Sequence, residues 1–325
     1  MSEKYQIYQL SLEQKISNKK SLDGVLRKDW YNHPDLGECL YKEARPTQAI
    51  ISESRTDWTE KVVNEVADLL GLPVARYELA SGYFGNSREL VEGVLSVNCI
   101  PANNEEVFTG EELLSRLVNY EGDNPSQYTI ENVLKSLDLA NVKPPSSWTH
   151  PIVGINTGAE LFVGYILIDT LVNNSDRHDH NWGVMSVNNQ IELIPSFDHG
   201  LSLGSTDEDE DKLTIPLSDY VNRYSQSCFQ EGYNKVPNLT VFDRAAQLYP
   251  DAARIWQERL AQVKIAQITD IFDRIPEGRI TPIAAKFAVD LLTYNRERIM
   301  DLAIKPKSII KDVRKKQPKK DRGGR

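Results

Sequence analysis

Apolar positions recur along this chain in two rhythms. Up to residue 98 they come in short runs bounded by turn residues. Residues 5–12 alternate weakly, and 25–31, 38–43, 74–80 and 88–98 read as further strands. Ser21, Asp23 and Gly24 mark one turn and residues 33–37 another. One segment, DWTEKVVNEVADLL over 57–70, has a helical period instead. Asp57 with Glu60 makes a capping-box start, and Gly71 with Pro73 makes the stop. At about 100° per residue, Trp58, Val62, Val66 and Leu69 share one face, with Glu65 at its edge. A carboxylate there either snorkels to water or needs a partner. Lys42, inside the strand over 38–43, is the candidate partner.

After Cys99 the pattern turns helical. Residues 110–120 and 129–139 are helix candidates, followed by a proline-rich connector over 143–151. The run TGAELFVGYILIDTLV over 157–172 is apolar nearly all round, as a helix at the centre of a lobe should be. Later helices are expected over 240–263, 265–274 and 282–302. The chain thus divides into an antiparallel sheet with one helix over 1–98, a mainly helical part over 99–304 and a tail over 305–325.

Composition changes this picture little. With 40% hydrophobic and 26% charged residues the chain is an ordinary globular sequence, without an apolar run long enough to span a membrane. Three widely spaced cysteines, Cys39, Cys99 and Cys228, suit buried reduced thiols, and with no signal-peptide pattern the expected compartment is cytoplasmic. Net charge is -9, yet the tail KPKSIIKDVRKKQPKKDRGGR is strongly basic. Such a tail can touch nucleic acid, an anionic surface or an acidic partner, or simply be solvated.

The densest polar chemistry lies in residues 173–200, NNSDRHDHNWGVMSVNNQIELIPSFDHG, which hold three of the five histidines. Asp176 follows directly on the apolar helix. A hairpin over 183–194, turning at Asn188-Asn189, would bring Asn181 and Asp198 together at its open end. An amide oxygen beside a carboxylate is a hard donor pair that suits Mg²⁺. A base, two metal ligands and a remote lysine held by a glutamate are the parts that phosphoryl transfer requires.

The run Asn174-Ser175-Asp176-Arg177-His178-Asp179-His180-Asn181, followed by Pro195-Ser196-Phe197-Asp198, resembles the catalytic and metal-binding segments of HipA-like kinases. The phosphatidylinositol kinases share a similar D-R-H-x-x-N run. The resemblance implies an α+β, bilobal protein-kinase-like fold, with a small antiparallel-sheet N-lobe carrying one helix and a larger, mainly helical C-lobe. It implies ATP and Mg²⁺ as cofactors and a Ser/Thr hydroxyl of a protein as acceptor. Asp176 would be the base, His178 a support of its loop, Asn181 and Asp198 the metal ligands, Lys42 the phosphate contact and Glu65 the residue positioning it. Gly24, Arg27 and Lys28 fall where a phosphate loop belongs, although SLDGVLRK matches no strong phosphate-loop pattern. Ser17 and Ser21 are the candidates for autophosphorylation, and an antitoxin or other regulatory protein is the implied partner.

Three other readings stand beside this one. The same core could serve a lipid or small alcohol. His178, His180 and His199 with Asp176 and Asp198 could form a hydrolytic metal site. A kinase-shaped protein could also act as a non-catalytic interaction module.

Overall fold

The structure, a computed structural model, describes residues 3–16, 27–44, 55–84, 87, 89–101 and 104–305. Five strands form the N-terminal sheet: β1 (Tyr8–Gln9), β2 (Lys28–His33), β3 (Gly37–Glu43), β4 (Tyr77–Gly82) and β5 (Val91–Val97), in the order β1-β4-β5-β3-β2. β1 runs parallel to β4 and every other pair is antiparallel. In the register of β2 and β3, Lys28 lies directly opposite Lys42, so both side chains leave the same face. Gly93 on β5 makes this spacing work: a Cβ there would lie 2.1 Å from the carbonyl oxygen of Lys42.

The helix α1 (Asp57–Leu70) packs on β4 and β5 through Val62, Val63 and Val66, all fully buried. It stops where Gly71 takes the left-handed conformation, φ 77°, as the sequence predicts. Its start differs. Thr56 is the N-cap residue, and no side chain caps the first turn. Asp57 instead accepts from Arg55 and, across the fold, from Arg279 at 2.7 Å. Glu60 is turned away from any capping role.

The C-terminal part is built around α4 (Gly158–Val172), whose N-cap Thr157 and Glu160 form a capping box. Nearly every α4 side chain is buried, against α3 (Ile130–Leu139), α7 (Asn238–Leu248), α8 (Pro250–Gln262) and α10 (Pro282–Met300). The helices α2 (Gly110–Val118), α5 (Asp209–Thr214), α6 (Leu217–Tyr224) and α9 (Ile265–Asp273) complete this lobe. The stretch expected as one helix over 240–263 is broken at Pro250, which opens α8 and has no amide hydrogen to continue α7. Among the described residues, no helix is long and apolar enough to cross a membrane.

Strand β6 (Asn104–Thr109), in a segment expected to be turning helical, pairs with β7 (Gly183–Val187). β7 and β8 (Gln190–Leu193) form the expected hairpin, with Asn188 at φ 51° and Asn189 at φ 60° supplying the turn. A second hairpin, β9 (Gln226–Glu231) with β10 (Asn234–Pro237), went unread because its strands are short and largely polar. The lobes join where Ala75 N–H donates to the Ser196 carbonyl at 2.8 Å and Ser196 N–H to the Pro73 carbonyl at 3.1 Å. Cys39, Cys99 and Cys228 are free thiols, each with its pKa pushed up to about 11 by burial; Cys39 is buried as expected, while Cys99 and Cys228 are half-buried.

Candidate active site

Three elements converge on Lys42. Its Nζ lies 2.9 Å from Asp198 Oδ1 and 3.2 Å from Glu60 Oε1, and the residue is 5% exposed. Burial works against the ammonium, but Asp198 and Glu60 outweigh it and hold Lys42 well above its ordinary pKa. Burial likewise favours the neutral Asp198 carboxyl, yet Lys42 draws it well below the carboxylate range. Lys28 faces the same group from β2. Burial, then Lys42 beside it, lowers its pKa.

The expected partner of Lys42 is therefore corrected: Glu60 meets it and Glu65 does not. Glu65 pairs with Lys61 one helical turn earlier, at 2.7 Å. Five residues along a helix rotate a side chain by about 140°, so the two glutamates face different directions. Glu60 also accepts from the backbone N–H of His199 through Oε2 at 2.9 Å. Burial raises its carboxyl.

The loop after α4 is held by short bonds. Asn173 ends the helix in the left-handed conformation, φ 57°. Asn174 donates to Asp169 at 2.8 Å and accepts from the Asp176 N–H at 3.1 Å. Asn181 Nδ2 donates to the Asp176 carbonyl at 2.7 Å and to Asp176 Oδ2 at 3.1 Å. Burial, then Asp198, raises the Asp176 carboxyl, with His178 opposing. His178 Nε2 stands 3.9 Å from Asp176 Oδ1, and the His178 backbone ties to Asp176 and Asn181. Asp198 itself is left-handed, φ 59°, with its N–H donated to the buried Tyr77 hydroxyl at 3.0 Å.

Behind the loop lies Arg177, 2% exposed. It pairs with Asp169 through Nε and Nη2, both at 2.8 Å. His199, fully buried, presents Nε2 to Arg177 Nη2 at 3.0 Å and to Ser196 Oγ at 2.8 Å. Burial and Arg177 keep its imidazole well below the usual histidine pKa. Glu60, Tyr77, Arg177 and His199 were missed as site residues. One signal was available: an aspartate inside the apolar run of α4 demands a buried cationic partner, and Arg177 is the nearest downstream.

Other expected residues are placed differently. Arg27 is tied to Glu43, at 2.7 Å and through its backbone at 2.8 Å. Gly24, Ser17 and Ser21 lie outside the described residues. His180 turns to Glu111 at 2.9 Å. With His199 facing Arg177, the histidines do not converge, and the described residues hold no cluster of three His, Cys, Asp or Glu able to cage a metal ion.

A buried lysine between two carboxylates thus stands beside an aspartate-asparagine loop where the two lobes meet. No protein-family model and no curated protein matches the chain. Among solved structures, the Helicobacter pylori proinflammatory kinase CtkA superposes with a TM-score of 0.69 at 18% identity, covering 91% of this chain and 96% of that one. HipA of the Shewanella oneidensis toxin-antitoxin system, solved with HipB and operator DNA, gives a TM-score of 0.43 at 12% identity, covering 89% and 67%. A Golgi casein kinase with Mn/ADP bound gives 0.45 at 12%, covering 92% and 73%. The chain shares the fold of the CtkA kinase over nearly its whole length.

Proposed function

We propose that this protein is an ATP- and Mg²⁺-dependent kinase that transfers the γ-phosphoryl group to a hydroxyl, with a protein serine or threonine as acceptor. The observation that carries the reading is Lys42 held between Glu60 and Asp198, next to the Asp176–Asn181 loop. The hydrolytic alternative leaves that lysine without work.

The donor set fits Mg²⁺. Asn181 spends its amide nitrogen on Asp176, which leaves its oxygen as a ligand, and Asp198 is bound to Lys42 through Oδ1 alone, which leaves Oδ2. Held by Asn181 and Asp198, a Mg²⁺ ion would supply neutralising charge for the phosphate oxygens. Lys42 and Lys28 take the phosphates from the sheet face, and Glu60 keeps Lys42 extended toward them. Asp176 orients the acceptor hydroxyl and takes its proton. The hydroxyl oxygen bonds to the γ-phosphorus as the bond to the β,γ-bridging oxygen breaks, and ADP leaves with that electron pair. Burial raises the Asp176 carboxyl, which strengthens it as an acceptor.

The test is labelling from γ-³²P ATP with Mg²⁺, on the protein itself and on casein or another Ser/Thr-rich protein, with Asp176→Ala and Asp198→Ala as controls. Each substitution is expected to lower transfer by about a thousandfold or more. Equal labelling by wild type and both variants would overturn the assignment. A phosphatidylinositol acceptor labelled in preference to protein would move the substrate class to lipid.

A further inference from the structure

We infer that Arg177, acting through Ser196 and His199, sets the distance between the Asp176 loop and Asp198, and is thus a positioning residue for the phosphotransfer proposed above, on which this inference rests. A guanidinium has five N–H donors in a fixed fork. Here all five are used. Nε and one Nη2 hydrogen go to Asp169 at 2.8 Å each. The Nη1 hydrogens go to the carbonyls of Asn181, at 2.7 Å, and Phe197, at 3.3 Å. The last Nη2 hydrogen meets Ser196 Oγ at 2.8 Å and His199 Nε2 at 3.0 Å.

The partners are what give this arrangement its meaning. Arg177 follows the base Asp176 in sequence. One of its nitrogens binds the backbone of Asn181 and the backbone just before Asp198, so both ligand positions hang from a single atom. The other binds the residue just after Asp198. Arg177 can only donate, so the acceptor role at this contact is assigned to His199 Nε2. The His199 N–H in turn goes to Glu60, the residue holding Lys42. Any shift of His199 therefore moves both the Asp198 backbone and the Lys42 clamp. Asp169 anchors the assembly to α4, the most buried helix of the C-lobe. A lysine in place of Arg177 would offer a point charge and could not reach these directions together.

The full chain with His199→Leu, His199→Gln or Ser196→Ala tests this. Leucine removes the acceptor at Nε2, whereas the glutamine amide oxygen can occupy its place. Outer-shell changes of this kind cost about 10–100-fold in activity or metal affinity. His199→Leu is expected to lower kcat by about tenfold or more and to raise the Mg²⁺ concentration for half-maximal transfer by about threefold or more. His199→Gln recovers most of both, and Ser196→Ala shifts both in the same direction by less. A purely structural role would lower Tm and activity together while leaving the Mg²⁺ dependence unchanged in all three variants, and that result overturns the inference. If His199→Leu does not fold, Ser196→Ala and His199→Gln carry the comparison alone. If wild type transfers no phosphate, the functional reading fails on its own. Calorimetric ATP binding against Mg²⁺ then reads the positioning, and identical Mg²⁺ dependence in wild type and the folded variants overturns it.

Discussion

The two halves of the site are built in opposite ways. On the C-lobe side, Asp169, Asn174, Asp176, Arg177 and Asn181 lie within 13 consecutive residues, and most of their bonds are made to one another or to nearby backbone. The loop is a local object, pinned to Asp169 of α4 by Asn174 and Arg177. On the N-lobe side, Lys42 comes from β3, Glu60 from α1 and Asp198 from beyond the hairpin, 156 residues downstream of the lysine. The start of α1 is fixed in the same long-range manner by Arg279, 222 residues away. A site half made of local bonds can keep its shape while the lobes shift. The Lys42–Glu60 pair lies within the N-terminal part, whereas the Lys42–Asp198 pair and the His199-to-Glu60 bond cross to the C-terminal part and need the two in register.

This contrast can be broken at several points. The largest effect is expected at Asp198, which serves both halves: Asp198→Asn should reduce phosphotransfer by about a thousandfold, read by labelled ATP. Retained activity would show that the halves are not joined through this residue. Next comes Arg279→Leu. It strands Asp57 with Arg55 alone in a fully buried position, and breaking a buried pair costs about 3–5 kcal/mol, measurable by urea denaturation. A loss below about 1 kcal/mol would mean that the long-range anchor is dispensable.

A matched pair of substitutions sharpens the comparison further. Glu60→Gln should lower kcat by at least about tenfold, while Glu65→Gln stays within about twofold, because only Glu60 touches Lys42. The reverse order would restore the pairing expected from the helix projection.

Acid stability separates the halves as well. Lys42 holds Asp198 below its unfolded pKa of about 3.9, so the carboxylate stabilises the fold above that value and loses this contribution as pH falls through its lower folded pKa. The Tm advantage of wild type over Asp198→Asn should then be constant from pH 7 to about 5 and shrink below about 4. An advantage that grows toward acid would contradict the ion pair. The smallest effect is expected at the hairpin turn. Asn189→Val places a β-branched residue at φ 60° and should cost about 1–2 kcal/mol, with little change in nucleotide binding.

What could be read from the sequence follows the same division. The α1 boundaries, the buried α4 and the β7–β8 hairpin were legible because each is written in a local period or a turn dipeptide. The Asp176–Asn181 spacing was legible for the same reason. The pairing of Lys42 is not legible locally, because Glu60, three residues after Asp57, fits a capping box and that local pattern does not point to the cleft. In the structure Asp57 is taken by Arg55 and Arg279, and Glu60 lies against Lys42. Strand β6 was missed because its partner, β7, lies some 80 residues away, and two acidic residues hide its alternation.

By itself, then, the sequence determined the class of fold, the buried helix, and the aspartate-asparagine loop with its downstream aspartate. Short-range hydrogen bonding and hydrophobic period are encoded within a few residues of where they act. The tertiary structure alone decided which glutamate holds Lys42, that Lys28 stands beside it, and that Arg177 and His199 lock the loop to Asp198. These depend on which buried charges find each other across the lobes. A buried charge is settled by whichever partner the packing brings within about 3 Å, and no local pattern records that distance.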